Sequence, residues 1–96
     1  MARVAAQSIS AKEIVTVAAT AVGFTAGLIS GKSYAFVTAE SGQMRYWVDG
    51  STPTASEGHL LEVGANVELR GVNTVANFRA IRTGGSSGSL MCSYGV

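Results

Sequence analysis

Apolar residues in this chain recur at every second position, in short runs that end at glycine, and almost never at the three-to-four spacing of a helix. Alternation of that kind belongs to strands with one face buried and one face in water. In KEIVTVAAT, residues 12–20, Val15, Val17 and Ala19 alternate with Ile14, Thr16 and Ala18. The glycine- and serine-rich segment 21–33 follows as a loop, with Phe24, Leu28 and Ile29 expected to anchor it in the core. In SYAFVTAE, residues 33–40, Tyr34 and Phe36 share a face and are expected to point inward. Ser41-Gly42 supplies a tight hairpin turn. The return strand 43–49 places Met44, Tyr46 and Val48 on one side and Arg45, Trp47 and Asp49 on the other. Strands are expected again at 59–63, 66–70, 76–83 and 89–94, with Val67 and Leu69, Phe78 and Ala80, and Leu90, Cys92 and Tyr94 as same-face sets.

Seven or eight short strands with a single proline and no helical run predict an all-β fold, one antiparallel β-sandwich of jelly-roll or immunoglobulin-like type. Ninety-six residues suffice for one core. Residues 1–11 read as an N-terminal arm or first strand and residues 12–96 as the sandwich.

Charge bounds the partners. Only 14% of the residues are charged, against roughly 25% in an average soluble domain. A surface so poor in charge favours association, so a homo-oligomer or a larger assembly is expected. The net charge of +1 offers no basic face for nucleic acid. Residues 14–31 carry no charge and include Gly23-Phe24-Thr25-Ala26-Gly27, a GxxxG pattern. Threonines, glycines and a serine break that run, and its first half alternates, so no membrane span is expected. The N-terminal MARVAAQSIS lacks the long apolar run of a secretory signal.

Asp49, Ser51 and His59 are the residue types of a hydrolase triad, and they lie close together in RYWVDGSTPTASEGHLL. A triad requires a histidine within reach of the serine and a carboxylate on its other nitrogen, plus oxyanion donors. No G-x-S-x-G elbow is present. A turn accounts for the same residues: Asp49 caps the strand in an Asx-turn, Gly50 takes a left-handed dihedral, Pro53 stiffens the loop and Gly58 lets the chain re-enter the sheet. The stretch is therefore read as a turn, with no catalytic, cofactor-binding or metal-binding residue. Cys92 is the single cysteine, read as a small buried hydrophobe. Arg79 and Arg82 stand three apart on a strand, hence on opposite sides, and are expected to pair with Glu62 or Glu68 or to meet a partner. Arg45 and Trp47 share a face suited to cation–π stacking or to an interface. Val4, in the apolar arm, completes the set of expected interface residues.

MRYWVDGSTPTASEGHLL, followed by NFRAIRTGGSSGSLMCSY, resembles small β-sandwich structural proteins encoded among the virion genes of tailed bacteriophages. The resemblance spans Met44 to Tyr94, a little over half the chain. It implies a non-enzymatic head decoration (cement) protein that binds the major capsid protein or other virion proteins. It also implies a trimer, and a location on the phage head after expression in the bacterial cytoplasm. A neck or tail component is one alternative. A similar Tyr-x-x-Asp-Gly-Ser-x-Pro-Thr turn occurs in immunoglobulin-like accessory modules of chitinases and hexosaminidases, which leaves a carbohydrate- or cell-surface-binding module as a further alternative.

Overall fold

A computed structural model describes residues 8–96. Their strands are β1 (Ile9–Val17), β2 (Tyr34–Ser41), β3 (Met44–Trp47), β4 (His59–Leu61), β5 (Asn66–Arg70), β6 (Arg79–Arg82) and β7 (Gly88–Gly95). They form two antiparallel sheets, one of four strands in the order β1-β7-β2-β5 and one of three in the order β4-β3-β6. This is the all-β sandwich that the alternation predicts. Val4 and the rest of residues 1–7 lie outside the described residues, so the expected arm is described only from Ser8 onward. Residues 9–11 of that arm are already part of β1.

The inner faces meet in one core. Val15 and Val17 of β1, Met44 of β3, Leu61 of β4, Leu69 of β5, Ala80 of β6 and Leu90, Cys92 and Tyr94 of β7 are all buried in it. Phe24 enters from the loop after β1 and stacks flat on Phe78, with ring centroids 4.6 Å apart and an interplanar angle of 2°. Leu28 and Ile29 pack against the same cluster. The segment after β1 also crosses between the sheets. Arg82 N–H donates to Ala18 O (3.1 Å), and Val22 exchanges two 2.9 Å bonds with Ala80. One open side of the sandwich is thereby closed with backbone hydrogen bonds, as buried peptide groups require.

Three expectations are corrected. Tyr34 and Phe36 do not share the core face. The cross-strand partners are Ala35 with Tyr94, Val37 with Cys92 and Ala39 with Leu90. Directly paired residues point to the same side of a sheet, so the inward set of β7 brings Ala35, Val37 and Ala39 inward and turns Tyr34, Phe36 and Thr38 outward. Tyr34 is nonetheless 4% exposed, and its hydroxyl donates to Glu68 on the same outer face. Second, two short helices exist, α1 (Ala26–Ile29) and α2 (Val72–Asn77). α2 buries only Val75; a single inward residue leaves no periodicity to read. Because α2 occupies residues 72–77, the strand expected from 76 begins at Arg79. Third, β1 spans 9–17 rather than 12–20, since residues 18–22 turn toward the other sheet. Among the described residues no helix is long and apolar enough to cross a membrane.

Candidate functional site: the outward face of the three-stranded sheet

The β3 strand sets the geometry of this face. Its inward residues are Met44, fully buried, and Tyr46, packed against the core. Arg45 and Trp47 must then point out. Arg45 pairs across the sheet with Leu60 and Ile81, and Trp47 pairs with Arg79. The outward surface thus carries a row Leu60–Arg45–Ile81 with Trp47–Arg79 beside it. Leu60 is 45% exposed, and Arg79 is exposed. On the other flank Gln43 donates to Glu62 (2.8 Å) and accepts from the Thr83 hydroxyl (2.8 Å). Three of the expected interface residues, Arg45, Trp47 and Arg79, are thus brought together. Arg82 pairs with inward-facing Met44 and sits at the rim of the opposite side.

The expected ion pairs of Arg79 and Arg82 do not form. Among the described residues the salt bridge is Arg70 to Glu68, at 3.8 Å, while Glu62 is held by Gln43. Arg45 and Trp47 do not stack either. The Arg45 guanidinium turns to the neighbouring loop and donates to Ala55 O (3.2 Å) and Gly58 O (2.9 Å). Trp47 meets His59 edge-on at 5.2 Å, and Tyr46 approaches the same ring at 5.3 Å. Sequence reasoning missed Leu60 and Ile81 because each is the off-phase residue of a short strand, where exposure cannot be told from burial.

The loop at 49–58 is a turn. Ser51 N–H donates to Asp49 Oδ1 at 3.0 Å, closing the Asx-turn, and this bond holds the Asp49 carboxyl below its usual range. Gly50 has φ +89°, and its N–H donates to Asn77 O at 3.2 Å. Pro53 is buried, and Thr54 and Glu57 bridge each other to close a tight turn within the loop. Asp49, Ser51 and His59 are not linked to one another as a triad: the Asp49 carboxylate is committed to the Ser51 amide, and the His59 ring is packed on Tyr46 and Trp47. We expect Ser51→Ala to leave the thermal midpoint within a degree or two. Gly50→Val, which forces a branched side chain into a left-handed dihedral, should lower stability by about 1–2 kcal/mol. Denaturant titration of the two variants distinguishes the roles.

A second polar cluster lies at the edge of the core. Glu13 accepts from Tyr94 Oη (2.5 Å), Thr25 Oγ1 (2.7 Å) and Thr25 N (3.0 Å). It ties the loop carrying Phe24 and α1 down onto β1 and β7. Burial alone would raise its carboxyl, but the hydrogen bonds from Tyr94 and Thr25 outweigh it and hold the group below its ordinary value of 4.5. The folded state therefore gains from ionised Glu13 above that value and loses the gain as pH falls below it toward the depressed folded value. Acid titrations of stability should show a loss beginning near pH 4.5 that Glu13→Gln reduces. Cys92, opposite Glu13 in the register, is buried, and burial pushes its thiol up to about 11. It is the inert core residue its pattern predicts. Among the described residues no cluster of His, Cys, Asp and Glu could hold a metal ion.

No protein-family model matches the chain, and neither a curated protein nor a solved structure matches it.

Proposed function

We propose that this protein is a non-enzymatic structural component of a tailed-phage virion, a decoration protein that binds the major capsid protein on the assembled head. The observation that carries the reading is the outward face of the three-stranded sheet. It combines exposed Leu60, half-buried Trp47 and Ile81, and an Arg79 that has no carboxylate partner among the described residues. Tryptophan and arginine surrounded by aliphatic surface are the groups that anchor protein interfaces. The resemblance of Met44–Tyr94 to virion sandwich proteins points the same way. Each contact on such a small face is modest, but a repeating shell multiplies them wherever copies engage more than one capsid subunit.

Co-sedimentation with purified phage heads stripped of decoration protein tests the reading. The wild-type chain should pellet with the heads, and Trp47→Ala and Arg79→Glu should each weaken binding by about tenfold or more, roughly 1.4 kcal/mol or more. Heads that bind neither wild type nor variants overturn the decoration role. Heads that bind all three equally overturn this face as the contact.

A further inference from the structure

The opposite surface of the molecule, the outward face of the four-stranded sheet, exposes apolar side chains and carries opposite charges on its two margins. Ile14 is 64% and Met91 40% exposed there, beside half-buried Phe36. The registers place these residues in two rows across the sheet. One runs Lys12–Ser93–Phe36–Glu68 and the other Ile14–Met91–Thr38–Asn66, each from β1 through β7 and β2 to β5. A cation therefore stands on one margin of a row and an anion on the other. Between β1 and β7 the surface is hollowed into an open depression of about 370 Å³, whose outward walls include Lys12, Ile14, Met91 and Ser93.

We infer that two copies of this chain pair through these faces about a twofold axis that runs parallel to the strands, between β7 and β2. That rotation exchanges β7 with β2 and β1 with β5. Ser93 and the depression then face Phe36 of the second copy, which supplies an aromatic ring to fill the hollow. Lys12 faces Glu68 of the second copy, and the symmetry makes the ion pair twice. Glu68 accepts from the Tyr34 hydroxyl and lies 3.8 Å from a largely exposed Arg70, so its carboxylate keeps room for another donor. Facing sheets pack with an offset near 30°. At the margins, about one and a half strand spacings from the axis, that offset shifts partners by only about 3–4 Å, within the reach of a lysine. The second copy is the occupant because the cation and anion on opposite margins of the Lys12–Glu68 row are complementary to this same face, and the same rotation covers exposed Ile14 and Met91 with β5 and β2 of the second copy. The contact is distinct from the capsid-binding face and does not depend on it, and it makes a pair where the family resemblance implies a trimer.

Light scattering coupled to size exclusion, run over a concentration series, should give a mass approaching twice the 9.8 kDa chain. Lys12→Glu should weaken pairing by about tenfold or more, as should Met91→Glu, both at exposed positions where folding is unaffected. Glu68→Lys should do the same. Mixing the Lys12→Glu and Glu68→Lys proteins should restore a dimer, because the mixed pair regains both ion pairs while each variant alone repels itself. If Glu68→Lys does not fold, the Lys12→Glu and Met91→Glu masses decide the question. Arg79→Glu, on the other sheet, should leave the dimer intact. A wild-type monomer at every concentration, a trimer, or a dimer insensitive to Lys12→Glu and Met91→Glu overturns the proposal.

Discussion

Replacing Phe78 with alanine is expected to cost about 3–5 kcal/mol of folding stability. The ring is 1% exposed, and it lies at the junction of three elements. It stacks on Phe24 from the loop after β1, tilts against Tyr46 of β3 at 5.5 Å, and leads directly into β6. Truncation removes the aromatic contact and leaves a cavity that backbone hydrogen bonds on two sides keep from collapsing: Val22 with Ala80, and Gly50 with Asn77. Phe24 would lose its stacking partner as well, so the loop tied down by Glu13 should become more accessible to protease. Phe36→Ala is the matched control. That ring is only half-buried and on the outer face, so truncation should cost the isolated chain much less. Urea titrations of both variants check the difference, and equal losses would contradict the strand phase described above.

Gly88→Val is expected to be comparably damaging. Gly88 opens β7 opposite Val17, in a place where three backbone segments converge. A Cβ there would run into the Ser41 carbonyl oxygen, and would lie 3.0 Å from Met44 Cε and 3.2 Å from Gly42 Cα. The methionine tip can move, but the hairpin backbone cannot without breaking the β2–β7 ladder. Overpacking a core usually costs about 1–3 kcal/mol; with main chain as the obstacle the loss should reach or exceed the top of that range, read as loss of soluble protein or of cooperative unfolding. Gly85→Val, in the preceding turn and with no atom within 4 Å of an added Cβ, should shift stability by no more than about 0.5 kcal/mol.

The alternation of apolar and polar residues was sufficient to determine an all-β sandwich, the same-face sets of β1, β3, β6 and β7, the anchoring by Phe24, and the turn at Asp49-Gly50. These are local properties: a strand's two faces and a turn's dihedrals are written in neighbouring residues. The orientation of β2 was not. Tyr34 and Phe36 are larger than Ala35 and Ala39, and by the area they could bury they read as the inside set, with Val37 on the other face. Only pairing with β7 decided otherwise, since Leu90, Cys92 and Tyr94 point inward and carry their partners with them, and the space between the sheets was already filled by Phe24, Phe78 and Met44. The fates of Arg45, Arg79 and Arg82 were likewise tertiary. Their spacing along the chain separated faces correctly, but which carboxylate or carbonyl each could reach depended on how β4, β6 and the 49–58 loop were brought beside β3. The gathering of Leu60, Ile81, Trp47 and Arg79 on one surface, and of Ile14, Met91 and Phe36 on the other, required strand order. Residues far apart in the chain become neighbours only through sheet register, and no local pattern records it.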